Sequence, residues 1–304
     1  MRLPGEAVVQ RSGLSALLAD WTTLTKMRIG SFVFLAAWIG AVLAAREDGG
    51  ALQLGIGLEP ALWVLAVSAG SSIFNQVFER DTDRLMERTA SRPLPTGRVR
   101  GLHAVLAGGA LGLGGTLGLA LRFNVLTALC ALGTLVAYSL VYTPLKRYTT
   151  HNTVIGAVPG AMAPLLGYMA VVGHPGPWGW YLFLVLFVWQ FPHFMAIAWI
   201  FREDYARAGM RMLPSLPGAE GLAGRNALVY ALVLVPVSLY PGLRGDAGPL
   251  YLSVALALGL VYLAFSLAFA LKENRTRARA LLFASLVYLP LAFLAALFDS
   301  SFRL

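Results

Sequence analysis

Long apolar runs separated by short polar segments set the pattern of this chain. A bilayer core about 30 Å thick is crossed by about 20 apolar residues in a helix, so each run predicts one membrane-spanning helix. The sequence therefore predicts an all-α polytopic membrane protein with nine transmembrane helices. The predicted spans are 29–45, 60–79, 104–121, 124–142, 153–172, 178–200, 226–243, 249–271 and 280–298.

Composition agrees with this pattern. Of 304 residues, 58% are hydrophobic and 13% are charged, whereas soluble domains have about 45–50% apolar and about 25% charged residues. These values exclude a soluble enzyme, a disordered protein and a secreted disulfide scaffold. The single cysteine, Cys130, lies inside an apolar run, where we interpret it as a small core residue.

The basic residues predict the orientation in the membrane. Twenty of the 24 Lys and Arg residues lie before the first span or after spans two, four, six and eight. Arg46, Arg122, Arg244 and Arg303 lie on the other side. Because short cytoplasmic segments are rich in Lys and Arg, we expect the N-terminus in the cytoplasm and the C-terminus outside. This distribution explains the net charge of +9 without a nucleic-acid partner. We expect a cytoplasmic N-terminal segment over 1–28 and one transmembrane domain over 29–304.

Acidic residues are concentrated at two span ends. Glu79, Asp81, Asp83 and Glu87 follow the second span, and Glu203 and Asp204 follow the sixth. Asn75, Glu79 and Asp83 are spaced i, i+4 and i+8, which predicts three side chains on one helix face, with Asp81 pointing elsewhere. We expect Asp83 to be an exposed helix-end residue that contributes little to stability.

Two interpretations of this acidic cluster are open. It could be a solvated juxtamembrane helix whose acids pair with the interleaved Arg80, Arg84 and Arg88. Alternatively, its hard oxygen ligands could bind Mg²⁺ shared with a phosphate-bearing substrate. Basic residues in the neighbouring segments favour the second interpretation, because they could neutralise a diphosphate. These residues are Lys26, Arg28, Arg92, Lys146 and Arg147.

Residues 75–99 read NQVFERDTDRLMERTASRPLPTGRV. This stretch resembles the first signature motif of the UbiA family of intramembrane prenyltransferases, and more narrowly its protoheme IX farnesyltransferase branch. LTKMRI at 24–29 looks like the family's first-helix start. Three further segments agree with the same branch: YTPLKRYTTHNTVIGAVPGAMAPLLGY (142–168), WQFPHFMAIAWIFREDYARAGMRMLPSL (189–216) and SLVYLPLAF (285–293).

The resemblance implies nine helices around a central cavity that opens to the cytoplasmic side of the cell membrane. It implies transfer of a farnesyl group from farnesyl diphosphate to a vinyl group of heme b, with addition of water, giving heme O. It also makes heme-handling or oxidase-assembly proteins candidate partners. The implied catalytic and Mg²⁺-binding residues are Asn75, Glu79, Asp83 and Asp204. The implied diphosphate-binding residues are Lys146, Arg147, Arg28, Lys26 and Arg92, and His193 is a candidate heme contact.

The sequence departs from the family pattern at Glu79, where the family usually has Asp, and at Asp204, the one Asp where the wider family has two. Three alternatives differ from this interpretation. Another UbiA-type enzyme would prenylate a quinone precursor or a chlorophyll-type ring. A transporter would carry its ionisable residues near the bilayer midplane, and a structural oxidase subunit would need no diphosphate site.

Overall fold

The computed structural model describes residues 13–47 and 52–299. Residues 1–12, 48–51 and 300–304 lie outside it, and with them Arg2, Arg11 and Arg303 of the charge distribution. Within the described residues the fold is helical with no strand, and nine helical spans are long and apolar enough to cross a membrane. The predicted all-α, nine-span class is confirmed. The spans are Met27–Glu47, Leu54–Phe78, Gly101–Arg122, Val125–Leu145, Asn152–Val172, Pro177–Ile200, Leu222–Arg244, Pro249–Leu271 and Arg275–Phe298.

Helices are labelled here in chain order. Those that carry the spans are α2 (Met27–Glu47), α3 (Leu58–Phe78), α5 (Gly101–Arg122), α6 (Val125–Val136), α8 (Asn152–Val172), α9 (Pro177–Ile200), α11 (Leu222–Arg244), α12 (Pro249–Leu271) and α13 (Arg275–Phe298). The shorter helices are α1 (Gly13–Leu24), α4 (Arg80–Asp83), α7 (Thr143–Leu145) and α10 (Arg202–Arg207).

Two local irregularities shape one end of the bundle. A π-helical turn, Ala137–Tyr142, joins α6 to α7. Lys26, between α1 and α2, is the one non-glycine residue with a positive φ in the described chain, at 50°. That left-handed conformation costs an L-residue about 1–2 kcal/mol. Both irregularities therefore need support from the residues around them.

Glycines allow the central helices to approach closely. A Cβ atom on Gly40 of α2 would lie 2.0 Å from the Pro164 carbonyl oxygen of α8, and one on Gly167 would lie 1.9 Å from that of Ala37. On α5, a Cβ at Gly115 would lie 2.9 Å from the carbonyl oxygen of Trp63 in α3. Small residues let backbones meet in this way inside a bilayer.

The glycine-rich part of α5 has two faces. Gly108, Gly112 and Gly115 lie against neighbouring helices, whereas a Cβ on Gly109 or Gly114 would meet nothing within 4 Å. Close packing of small residues against a neighbouring helix therefore applies to three of these glycines and not to Gly109 and Gly114. The last span packs against the first: α13 contacts α2, and Arg46 Nη1 donates a hydrogen bond to the Leu297 carbonyl oxygen at 2.6 Å.

Candidate active site

A cavity of about 800 Å³ opens at the end of the bundle where α3 ends and α8 begins. This volume lies within the range of about 300–1,000 Å³ typical of ligand sites. One wall is polar, and it brings together six residues that the sequence analysis selected. They are Lys26, Asn75, Glu79, Asp83, Arg92 and Lys146.

The three oxygen-bearing residues converge although the helix beneath them is interrupted. Helix α3 ends at Phe78, and Glu79 has φ −91° and ψ 3° before α4 begins. The i to i−4 backbone hydrogen bonds nevertheless continue, since Glu79 N donates to Asn75 O at 3.0 Å and Asp83 N to Glu79 O at 2.7 Å. The spacing therefore still brings all three side chains to one cavity.

Each of these oxygen-bearing groups has a basic partner. Lys146 Nζ lies 2.8 Å from Glu79 Oε1 and Arg92 Nη1 lies 2.7 Å from Asp83 Oδ2. Lys26 Nζ donates to Asn75 Oδ1 at 2.7 Å. The solvated-helix interpretation is wrong for Glu79 and Asp83, which are buried, and so is the expectation that Asp83 is exposed.

Solvated ion pairs do describe two other members of the acidic segments, Asp81 and Glu203. The Asp81 side chain is 85% exposed and pairs with Arg84 at 3.5 Å, and it points away from the cavity as predicted. The Glu203 side chain is likewise exposed and pairs with Arg202 at 3.2 Å. The acidic residues therefore fall into two groups: Glu79 and Asp83 are buried at the cavity, whereas Asp81 and Glu203 are exposed to solvent.

Burial and neighbouring charge shift the ionisation of the buried groups. Burial, together with Arg92 and Lys146, lowers the pKa of Lys26 to about 7. Burial alone raises the pKa of Glu79, but Lys146, Lys26 and Arg92 together outweigh it and the pKa lies below its usual value. Burial raises the pKa of Asp83, and Arg92 offsets this only in part. Burial disfavours the charged form of each group and a neighbouring opposite charge favours it, so the protonation state of each group depends on its partners.

The remaining sequence-selected residues lie at different distances from this wall. Arg28 lines the cavity and is exposed, whereas Arg147 lines a smaller adjacent hollow of about 180 Å³. Asp204 is buried but is not a cavity-lining residue: its Oδ1 accepts from Glu87 N at 3.2 Å and from Arg207. Asp204 thus ties the segment after α4 to α10, beside the cavity.

His193 lies inside the bundle on α9. Its Nδ1 is 2.7 Å from Ser285 Oγ of α13, and its ring stacks on Trp189 with centres 4.8 Å apart. Phe194, Ile197 and Ala198 of the same helix line the cavity, and His193 is not among the lining residues. A heme role for His193 stays a prediction.

The sequence analysis did not select Thr143 or Tyr142. Asn75 Nδ2 donates to Thr143 Oγ1 at 3.1 Å, and Thr143 Oγ1 donates to the Tyr138 carbonyl oxygen at 2.9 Å. Lys146 Nζ lies 4.5 Å from the centre of the Tyr142 ring, a cation–π contact. The π-helical turn contains Tyr142 and directly precedes Thr143, so it positions both residues. Such turns are frequent at functional sites, but no sequence pattern predicts one.

The polar wall fits a divalent cation of the magnesium type. Asp83 Oδ1 is buried without a hydrogen-bond partner, and such an oxygen is costly to leave unpaired. Mg²⁺ prefers carboxylate and amide oxygens and keeps other positions for water and substrate phosphate. Within the described chain no group of three or more His, Cys, Asp or Glu side chains is placed to hold a metal ion. Asn75, Glu79 and Asp83 offer two carboxylates and one amide, so further ligands would have to come from water and substrate.

The fold and site together define a polytopic membrane protein with a charged cavity at one end of its helical bundle. The UbiA prenyltransferase family model matches residues 32–294. The chain is 41% identical over 298 residues to a protoheme IX farnesyltransferase of Koribacter versatilis, covering 96% of each chain. It is also 41% identical to the protoheme IX farnesyltransferase of Gloeobacter violaceus, covering 95% of this chain and 94% of that one. The chain belongs to the UbiA prenyltransferase family.

Solved structures share the fold at low sequence identity. A UbiA homolog from Archaeoglobus fulgidus bound to GPP and Mg²⁺ superposes with a TM-score of 0.65 at 19% identity, covering 91% of this chain and 99% of that one. A structure of digeranylgeranylglyceryl phosphate synthase has a TM-score of 0.72 at 17% identity, covering 94% and 99%.

Proposed function

We propose that this protein transfers a farnesyl group from farnesyl diphosphate to a vinyl group of heme b and, with addition of water, yields heme O. The observation that carries the proposal is the polar wall, where three basic side chains each lie within 2.8 Å of a buried oxygen. The relatives at 41% identity are protoheme IX farnesyltransferases, which supports this acceptor.

The basic side chains would hold the diphosphate. Lys146, Arg92 and Lys26 converge on one cavity, so their charges can stabilise the leaving group as the C–O bond breaks and its electron pair moves to oxygen. Arg28 lines the same cavity and Arg147 lies in the adjacent hollow, from which each would add positive charge.

Asn75, Glu79 and Asp83 would hold Mg²⁺, with Asp204 acting from beside the cavity. When bound, the ion supplies positive charge at the diphosphate oxygens. Its binding would use the buried Asp83 Oδ1 that otherwise has no partner. Lys146 and Arg92 would then exchange their carboxylate partners for phosphate oxygens.

The apolar part of the cavity would protect the allylic cation. Phe194, Ile197 and Ala198 line it, and an apolar wall excludes water that would otherwise give farnesol. The π electrons of a heme vinyl group would attack C1 of the farnesyl chain. Water would capture the resulting cation beside the porphyrin and release one proton, completing the hydroxyethylfarnesyl group.

We also propose that the cavity faces the cytoplasm in the cell membrane, because the basic segments that flank it make up the positive side of the chain. A cysteine replacing exposed Arg147, in a Cys130→Ser background, should react with an impermeant thiol reagent added from the cytoplasmic side of membrane vesicles. Labelling only from the opposite side would contradict the proposal and show that the cavity faces away from the cytoplasm.

The activity is tested with purified protein, heme b, farnesyl diphosphate and Mg²⁺, with mass spectrometry of the extracted porphyrins. We expect the mass of heme O, and its loss when EDTA removes the metal. A parallel reaction offers 4-hydroxybenzoate as acceptor. Product from that acid but none from heme b would assign the protein to a different branch of its family.

A further inference from the structure

Helix α1 forms one wall of the cavity and ends shortly before Lys26. Ala19, Thr22 and Thr23 of α1 line the cavity together with Lys26. Lys26 Nζ donates to Asn75 Oδ1 at 2.7 Å, and the position of this amine depends on where α1 ends and how the chain leaves it. The residues that hold the end of α1 are therefore candidates for positioning the amine.

The side chain of Gln76 holds the end of α1. It is fully buried, and its Nε2 donates to the carbonyl oxygens of Thr23 and Leu24 at 3.0 and 2.9 Å. The last carbonyl groups of a helix have no partner within that helix, so Gln76 supplies one from α3. Gln76 Oε1 is buried and has no hydrogen-bond partner among the described residues. Because an unpaired buried oxygen is costly, packing alone does not account for an amide at this position.

Asn75 and Gln76 are consecutive residues of α3 and hold the same short segment. Successive side chains on an α-helix point about 100° apart. Asn75 accepts a hydrogen bond from the Lys26 amine, whereas Gln76 donates to the main chain two and three residues earlier. The segment 23–26 is therefore attached to α3 at two separate points, one through its main chain and one through the side chain of Lys26.

This attachment supports the left-handed backbone of Lys26. Its φ of 50° is a conformation that follows many helices, where the residue is usually Gly. Glycine adopts that conformation without strain but would bring no amine to Asn75. Gln76 fixes the two carbonyl groups before this position, and Lys26 N donates to Thr23 O at 3.3 Å. Contacts with α3 therefore hold the strained residue in place.

The body of α1 is attached to the same end of the bundle. The Arg98 guanidinium makes three hydrogen bonds to the Asp20 carboxylate, at 2.9–3.1 Å. Leu24 is fully buried in a small apolar cluster with Ile73 and Leu94. Arg98 lies in the segment before α5, so α1 is held both by α3 and by that segment.

We propose that Gln76 is a positioning residue that acts with the Asp20–Arg98 pair to clamp α1, so that the Lys26 amine is held at the diphosphate-binding wall. This inference rests on the proposed function for the role of Lys26, and it adds a residue that is not among those lining the cavity. The clamp places the amine before farnesyl diphosphate arrives, and binding then does not have to order the chain around it.

The test measures the affinity of the full-length protein for farnesyl diphosphate with Mg²⁺ and without heme. Gln76→Met keeps a long, unbranched side chain but removes the amide donor, and we expect the Kd to rise by about tenfold. Lys26→Met removes the amine and should raise the Kd at least as much. The double variant should bind within about twofold of Lys26→Met alone, because Gln76 acts through that amine.

A matched control separates the clamp from loss of a buried amide. Gln190 is also buried, and its Nε2 donates to the Ala157 carbonyl oxygen at 2.8 Å, but it does not line the cavity. Gln190→Met should lower the melting temperature and keep the Kd for farnesyl diphosphate within about twofold of wild type. A tenfold rise in this variant would mean that weakened helix packing, rather than the clamp, reduces affinity.

A second variant loosens the clamp at its other point. Asp20→Asn weakens the pair with Arg98, whose side chain is 47% exposed. Because exposed ion pairs contribute little, we expect a rise in Kd of about threefold. This variant keeps the test decisive if Gln76→Met does not fold, since unchanged affinity in Asp20→Asn would then overturn the clamp.

The outcomes distinguish this inference from the proposed function. Unchanged affinity in folded Gln76→Met would overturn the positioning role, and so would effects of Gln76→Met and Lys26→Met that multiply in the double variant. Wild-type protein that binds farnesyl diphosphate but forms no heme O would overturn the proposed function and leave the clamp intact. Wild-type protein that binds no farnesyl diphosphate would overturn both.

Discussion

Lys146 Nζ and Glu79 Oε1 lie 2.8 Å apart although the two residues are separated by 67 positions in the chain. Both side chains are nearly buried, at 12% and 9% exposure. Breaking a buried pair by removing one partner leaves an uncompensated charge and costs about 3–5 kcal/mol. Substitutions at this wall should therefore preserve hydrogen bonding if activity and folding are to be measured separately.

Asp83→Asn should abolish most turnover while the protein remains folded. The amide keeps the size of the side chain but removes the charge, so we expect a loss of at least about a hundredfold in kcat/KM, or about 2.7 kcal/mol. The measurement is heme O formation alongside the melting temperature. Asp81→Asn, two residues away and exposed, should retain activity. Comparable losses in both variants would contradict a specific role for Asp83.

Glu79→Asp should keep kcat/KM within about tenfold of wild type, a cost of no more than about 1.4 kcal/mol. The carboxylate is retained one methylene further back, and the flexible Lys146 side chain can follow it. Glu79→Gln keeps the length but removes the charge, and it should lose far more. Steady-state kinetics of the two variants test this expectation. A greater loss of kcat/KM in Glu79→Asp than in Glu79→Gln would show that the length of the side chain, and not its charge, determines activity.

Thr143→Val should raise the Mg²⁺ concentration needed for half-maximal activity by about tenfold, the lower end of the effect of removing an outer hydrogen bond. The change leaves Asn75 Nδ2 without its acceptor and frees the amide to rotate. Thr143→Ser keeps the hydroxyl and should restore the wild-type magnesium dependence. If both variants required more magnesium, local packing rather than the hydrogen bond would explain the effect.

His193→Ala should lower the melting temperature and leave heme binding intact. The ring pairs with Ser285 and stacks on Trp189, so its removal loses that hydrogen bond, about 0.5–1.5 kcal/mol, and the packing of the ring. Heme titration and thermal unfolding on one preparation check this expectation. A large loss of heme affinity at an unchanged melting temperature would instead support the heme contact that the sequence suggested.

Gly115→Ala and Gly114→Ala form a matched pair on α5. The first places a methyl group 2.9 Å from a carbonyl oxygen of α3, and the second meets open space. Overpacking of this kind costs about 1–3 kcal/mol, so only Gly115→Ala should lower the melting temperature in detergent. Equal effects would mean that helix propensity, rather than contact, controls stability here.

The sequence predicted the spans and the convergence of Asn75, Glu79 and Asp83 because both follow from local periodicity. The spacing succeeds across the break at Glu79 because its backbone hydrogen bonds continue. Burial of Asp83 could not be predicted, since it depends on the following segment returning Arg92 to it. The partnership of Thr143 with Asn75 was equally hidden, because it requires both a distant contact and a π-helical turn.

That wide turn, Ala137–Tyr142, works like a one-residue insertion in a regular helix. Each residue of an α-helix turns the chain by about 100°. Removing one residue from the regular helix α6 would therefore rotate everything after it by about that angle, and Thr143 and Lys146 would turn away from the cavity. Removing one residue from the wide turn would instead leave a regular helix in which Thr143 and Lys146 keep their direction, so the turn absorbs a single-residue deletion that α6 cannot absorb.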